Sequence, residues 1–397
     1  MGRARNTERL RRSREDGGDR VSSFELFFDL VYVFAVTQLS HRLLDHLSIH
    51  GALQTLLLLF AVWWAWVYTA WITNWFDPGR PAVRLVLIAV MFGSLIMATA
   101  IPSAFDERGL VFAGAYAALQ FGRGLWAVIA FDHDPSLQNN FQRLLTWTTA
   151  AGVLWVAGGF AEGTNRELLW IAAFCVDYAA PALGFWVPGL GRSTTQDWMS
   201  ISGEHMAERC QLFMIVALGE SILVTGGTFS ALPFSWPITW AFVAAFFGSV
   251  ALWWIYFARK AEVSSHVIAR SSDPGRLGRA AYTYAHLPMV AGIIVSAVAD
   301  ELTIAHPMGH ADSATVWTIL GGVSLFILGH ALFLRAIFGV WSVPRLVAGA
   351  LLLAAIPFGP QLSPLAIGVL AMVVVVALAA WDSWATRHSA RLAAELV

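Results

Sequence analysis

Apolar positions along the chain gather into long runs divided by short polar or charged segments. A helix needs roughly 20 mostly apolar residues to cross the ~30 Å hydrocarbon core of a bilayer. Twelve runs approach that length: 24–44, 53–74, 83–104, 110–131, 144–161, 167–188, 209–230, 236–258, 283–304, 315–338, 344–359 and 363–384. The fifth and eleventh are short, and are expected to tilt away from these bounds or to span only in part. The pattern predicts an all-α fold, a polytopic transmembrane helix bundle of about twelve helices.

Charge placement gives that bundle an orientation. The first 20 residues carry seven arginines and no small-residue cleavage site behind a short apolar stretch, so they read as a basic cytoplasmic arm and not as a signal peptide. With twelve crossings from a cytoplasmic start, 21 basic residues fall inside and three (Arg42, Arg108 and Arg166) fall outside. That asymmetry is the expected bias toward the cytoplasm. It predicts a multi-pass protein of the bacterial cytoplasmic membrane with both termini inside. The one remaining basic residue, Arg123, falls in the middle of the fourth run.

The two halves echo each other. "LLLLFAVWWAWVYTAWITNWFD" in the second run is matched by "WAFVAAFFGSVALWWIYFARK" in the eighth, each with a central Trp pair. "MFGSLIMATAIPSAFDE" in the third is matched by "MVAGIIVSAVADE" in the ninth, and both end on an acidic pair at the outer side, Asp106-Glu107 and Asp300-Glu301. Six helices return the chain to its starting side, so the second copy enters in the same sense as the first: a parallel 6+6 repeat. The expected organisation is a basic arm at 1–21, transmembrane halves at 22–190 and 191–385, and a cytoplasmic tail at 386–397.

Composition agrees with a membrane protein, at 57% hydrophobic and 13% charged residues with a mean hydropathy of +0.63. The 19 tryptophans suggest aromatic anchors at helix ends. A net charge of -1 and the lack of basic patches interleaved with aromatics exclude nucleic acid as a partner. Cys175 and Cys210 read as small buried hydrophobes, and no histidine spacing makes a metal site, so neither cofactor nor metal is expected. The expected partners are the lipid bilayer and an ion or small solute; oligomeric state is not legible.

Charged residues inside runs carry the functional question, because an intramembrane charge generally faces a bundle interior or water and has a partner. "SSFELFFDLVYVFAVTQLSH" sets Glu25 and Asp29 one turn apart at the head of the first run. Ser22 and Glu25 fit a Ser-x-x-Glu capping box. Asp29 lies about 9 Å into the helix, too deep for capping. With Tyr32, Val36 and Ser40 it forms a polar face within about 80°. In the seventh run Glu208 and Arg209 sit at the cytoplasmic end, whereas Glu220 lies about 16 Å beyond Arg209. Arg123, flanked by glycines, is expected to pair with Asp29, Asp177 or Glu220, or to serve as a gate. Asp177 precedes Pro181 deep in the sixth run. These residues predict a polar centre between the halves, with charges that only lock helices together as the competing reading.

The segments "FELFFDLVYVFAVTQLSH", "AERCQLFMIVALGESIL" and "HLPMVAGIIVSAVADE" resemble, in order, signature segments of the bacterial low temperature requirement A (LtrA) family, over roughly residues 22 to 385. The resemblance implies a polytopic membrane protein named for a cold-growth phenotype, without an assigned molecular activity. Phe27-Phe28-Asp29 is also similar to the Phe-x-Asp element of the lysosomal-type potassium channel family, with Phe where that family has Ser and no second copy in the other half.

Enzyme readings lack support: the chain has no nucleotide-binding glycine loop, no nucleophile elbow and no long soluble segment, and the basic stretch 259–282 reads as a membrane-surface segment. The expectation is therefore not an enzyme but a transporter or channel for an ion, proton or small solute, linked to growth at low temperature. The alternatives are a non-transporting structural or stress-related membrane protein and, behind it, a membrane-embedded hydrolase or transferase using Glu208, Glu220 and a histidine.

Overall fold

Helix α1 (Ser23–Asp45) begins on the predicted capping box: the Ser22 hydroxyl accepts from the Glu25 amide, and the Glu25 carboxylate accepts from the Ser22 amide and hydroxyl. The computed structural model describes residues 10, 12, 21–198, 201–258, 260–271 and 273–395. Most of the basic arm at 1–21 and the last two residues of the tail lie outside them.

Other boundaries follow equally local chemistry. Ser48 caps α2 (Ile49–Trp75), and α3 (Pro81–Ser103) opens on Pro81, whose missing amide is harmless at a first turn. After α4 (Gly109–Ala130), Asp134 caps α5 (Pro135–Phe160), and α6 (Gly163–Ala182) follows. The long α7 (Gly203–Ala231) precedes α8 (Trp236–Phe257), capped by Ser235, and the short α9 (Lys260–Ala269) in the basic stretch. Helix α10 (Pro274–Ala305) contains a π-helical segment at Gly278–Tyr284, and α11 (Ser313–Phe338) another at Trp317–Gly321 before ending on left-handed Gly339. Helices α12 (Val343–Gln361) and α13 (Pro364–Glu395) complete the chain.

Among the described residues there is no β-strand, and nine helices are long and apolar enough to cross a membrane: α1, α2, α3, α7, α8, α10, α11, α12 and the Pro364–Ala385 part of α13. The fourth, fifth and sixth runs form helices α4, α5 and α6 but fall outside that set; they carry Gln120 and Arg123, Asn140 and Arg143, and Arg166 and Asp177 along their length.

The chain divides into two compact units, Met1–Arg209 with Ala269–Arg276, and Cys210–Ile268 with Leu277–Val397. In the first, α1 packs on α2 and α3, α3 on α4, α4 on α5, α5 on α6, and α2 on α4 and α6. Helix α2 is its core, with Trp63, Trp64 and Trp66 at most 1% exposed. In the second, α8 packs on α10 and α13, α10 on α11 and α13, α11 on α12, and α12 on α13. Glycines let α10 and α11 approach closely: a Cβ on Gly292 would meet the backbone of Gly322 and Phe326.

Part of the tryptophan set departs from the expected interfacial role. Trp155 and Trp170 are as buried as the α2 trio, and Trp71, Trp75 and Trp198 join the same core, so much of this set fills the first unit. Their large rings fill space between helices that carry buried polar groups, while the N–H groups of Trp66, Trp155, Trp170 and Trp198 serve as donors there. The echoed Trp pairs have opposite fates: Trp63-Trp64 is buried, whereas Trp253 and Trp254 are each 43% exposed. Cys175 is exposed, contrary to the expectation for both cysteines, because it lies on an outward face of α6; Cys210 is buried.

Candidate functional site

The polar face of α1 meets the start of α7 inside the first unit. Arg209 is fully buried there; its guanidinium donates to Asp29 Oδ1 at 2.8 Å and to the Glu25 carbonyl at 2.9 Å. The Trp66 indole donates to the same Asp29 oxygen at 2.8 Å. The guanidinium carbon also lies 5.6 Å from the ring centres of both Phe28 and Trp66, close enough for cation–π attraction. Asp29 Oδ2 and Arg209 Nε are buried without hydrogen-bond partners.

One turn earlier on each helix a second group forms. His205 Nε2 is 2.9 Å from Glu25 Oε1 and 2.9 Å from Arg12 Nη1, while Arg12 also reaches Glu25 Oε1 at 3.3 Å and donates to the Thr73 carbonyl at 2.9 Å. Main-chain bonds tie this part of the arm to the end of α2, the Arg12 amide donating to Trp75 O and the Asp77 amide to Leu10 O. A single ring nitrogen thus faces a carboxylate, which calls for an N–H, and a guanidinium, which calls for a lone pair. His205 Nδ1 has no hydrogen-bond partner. The arrangement can hold a proton in alternative positions among His205 and Glu25.

Arg123 makes no ion pair with Asp29, Asp177 or Glu220 among the described contacts, which corrects the expected pairing. Its guanidinium donates to the Ala65 carbonyl at 2.9 Å, to Thr69 Oγ1 at 2.7 Å and to Gln120 Oε1. Gln120 donates to the Tyr116 hydroxyl, which donates to Asp177 Oδ2 at 2.7 Å; Trp155 donates to that oxygen as well. Neutral side chains therefore relay Arg123 to Asp177 across α4, α5 and α6. The reason is geometric: both residues project into the Trp-rich interior but at different heights, and the gap is bridged by Gln120 and Tyr116.

The predicted residues are thus distributed. Glu25, Asp29 and Arg209 come together; Arg123 and Asp177 form a separate network in the same unit; Glu208 accepts from the Val21 amide at 3.0 Å; and Glu220 is buried in the second unit. His205, Trp66 and Arg12 were not foreseen as members, although His205 and Arg209 stand four residues apart in "EHMAER", the spacing that shares a helix face. Two further buried pairs use arginines that the sequence marks only as cytoplasmic: Arg143 with Asp197, and Arg345 with Asp382. His286 and His330 are buried core residues: His286 is bonded to Tyr256 and to the Ala281 carbonyl, and His330 Nδ1 accepts from Arg345. Among the described residues no group of three or more His, Cys, Asp and Glu side chains is placed to hold a metal ion.

The model of the family described as bacterial low temperature requirement A protein (LtrA) matches residues 20–380. The chain belongs to the LtrA family. It is 38% identical over 391 residues to "Uncharacterized protein RA0937" of Rhizobium meliloti (strain 1021), an alignment covering 98% of this chain and 95% of that relative. No solved structure matches. Glu25, Asp29, Arg123, Asp177, His205 and Arg209 fall inside the span that the LtrA model matches, whereas Arg12 and Asp382 lie outside it.

Proposed function

We propose that this LtrA-family protein moves a proton, ion or small solute across the cytoplasmic membrane, through a pathway controlled by the Asp29–Arg209 pair. The observation that carries this reading is the buried pair itself, set in transmembrane helices with one Asp29 oxygen left without a hydrogen bond. Buried ion pairs are weak devices for stability, since apolar residues of similar volume often do as well or better. Intramembrane ionisable residues more often mark pathways and relays. The family description, low temperature requirement A, supports linking that activity to growth at low temperature.

In this reading all twelve runs cross, as two parallel six-helix halves with both termini cytoplasmic. Three observations support the repeat. In each unit the third to sixth helices pack in series, and the second also packs on the sixth, α2 on α6 and α8 on α13. Each fifth helix also carries a buried arginine near its start, paired with an acid beyond or late in the sixth: Arg143 with Asp197, Arg345 with Asp382. The 21 to 3 division of basic residues supports the orientation. It is tested with a chain lacking Cys175 and Cys210 and labelled in intact cells by a membrane-impermeant maleimide. Glu162→Cys is expected to react and His133→Cys is not; equal labelling of the two would remove the crossing of α5.

Flux tests the function. Purified protein in sealed liposomes is expected to pass protons, sodium or potassium, and Asp29→Asn is expected to reduce the flux at least tenfold while the protein stays folded. The dryness of the site favours a second reading, charges that only hold α1 and α7 together: Glu25, Asp29, His205 and Arg209 are each at most 1% exposed. Folded wild type without flux of any of the three ions, together with a merely destabilised Asp29→Asn, would select that reading.

A further inference from the structure

A second polar place lies within the other unit, apart from the site just described. Helices α8, α10, α11 and α13 leave between them a cavity of about 50 Å³, several times the volume of roughly 10–15 Å³ in which a buried water fits. Its walls are mainly alanine, glycine and aliphatic side chains, interrupted by Ser249, Ser296, Asp300 and Thr303. Asp300 is five residues from the end of α10, about 8 Å below it, and Ser296 about 14 Å below, so the cavity lies within the span of the helix. The sequence placed Asp300 with Glu301 in an outer acidic pair; the fold turns it toward this cavity instead.

The hydrogen bonds around the cavity have a direction. Ser221 donates to Asp300 Oδ2 at 2.9 Å. Having given its one hydrogen there, it accepts from Ser249, whose Oγ is 2.9 Å away. Thr303 gives its hydrogen to the Ala299 carbonyl at 2.7 Å. Three hydroxyl hydrogens are therefore committed, and what the lining offers a guest is oxygen lone pairs: those of the Asp300 carboxylate, Ser249 and Thr303. Ser296 adds a fourth oxygen, buried and without any hydrogen-bond partner. No lysine, arginine or histidine lines the cavity, and Asp300 forms no ion pair among the described residues. An anion would meet a carboxylate and, the Ser296 hydroxyl apart, spent donors; a cation would meet its counter-charge and several hard oxygen ligands.

The geometry points to a binding site for one monovalent alkali cation in this cavity, held by the Asp300 carboxylate and the hydroxyl oxygens of Ser249, Ser296 and Thr303. A single carboxylate balances one charge, whereas divalent calcium generally gathers more acidic ligands than this. Occupation of the site does not require that the protein transport anything.

Binding is measured on the full-length protein in nanodiscs at constant ionic strength, with choline chloride as the inert salt, using ²²Na⁺ and ⁸⁶Rb⁺, the latter standing in for potassium. Saturable binding of one of the two ions is expected, weakening as the pH falls and protons compete for the carboxylate. Asp300→Asn is expected to weaken it at least tenfold and Thr303→Val severalfold. Folded wild type that binds neither ion saturably, or folded Asp300→Asn that binds as wild type does, would overturn the site. If Asp300→Asn does not fold, unchanged affinity in Thr303→Val overturns it equally. Wild type that binds the ion yet passes neither protons, sodium nor potassium in liposomes would keep the site and count against the transport reading, and proton flux without ion binding would do the reverse.

Discussion

Arg209→Met is expected to destabilise the first unit by about 3–5 kcal/mol, the loss typical when one partner of a buried ion pair is removed. The substitution keeps most of the side-chain volume but leaves the Asp29 carboxylate with the Trp66 indole as its hydrogen-bond donor, and leaves the Glu25 carbonyl without the guanidinium. Asp29→Leu combined with Arg209→Met is expected to recover most of the loss, because the pair is replaced as a whole by apolar groups of similar size. Thermal unfolding of detergent-purified protein followed by tryptophan fluorescence reads both variants. A double variant that is stable but passes no ions would assign the pair to transport. Equal loss in the single and double variants would show that the Glu25 carbonyl contact, and not the charge pair, holds α1 to α7.

Gly292→Leu is expected to prevent α10 and α11 from packing, and Gly292→Ala to lower stability by about 1–3 kcal/mol, as overpacking does. Even the first carbon of a side chain would lie 2.5 Å from the Phe326 amide nitrogen and 2.8 Å from the Gly322 carbonyl oxygen. Both are backbone atoms in a helix and cannot swing aside. Gly114 is the contrast: a Cβ there meets nothing within 4 Å, so Gly114→Ala is expected to be neutral or slightly stabilising through helix propensity. The yield of monodisperse protein after detergent extraction, with the melting temperature, separates the variants. A normal melt for Gly292→Leu would mean that the two helices can move apart at little expense.

Much of the architecture was legible in the sequence because a bilayer demands long apolar runs, and each predicted run coincides with a helix. The capping box of Ser22 and Glu25 was legible for the same kind of reason: it is local, closed within four residues. Pairing was harder. Asp29 and Glu220 looked alike as intramembrane acids, yet what each meets depends on how its helix is rotated and which neighbour it faces, and neither follows from hydropathy. Arg123 looked like a partner for an acid because a bare charge in a membrane needs one; the structure satisfies it with a carbonyl, a threonine and a glutamine, ordinary polar atoms that carry no signal of their own in the sequence. The buried Arg143 and Arg345 were hidden because a basic residue at a helix end obeys the orientation rule whether it faces water or an acid.

The two π-helical segments bear on how such a chain can change length. A turn closed by i→i+5 bonds holds one residue more than the α-helical path needs, which is the trace a single inserted codon leaves when both flanks of a helix are already fixed. At Gly278–Tyr284 and Trp317–Gly321 a one-residue deletion can relax into a regular α-turn and keep the register on either side. Elsewhere in α10 and α11 the same deletion would rotate every residue beyond it by about 100°, carrying Gly292 away from Gly322. These two segments are therefore the natural places for gene-length drift within the membrane part of the chain.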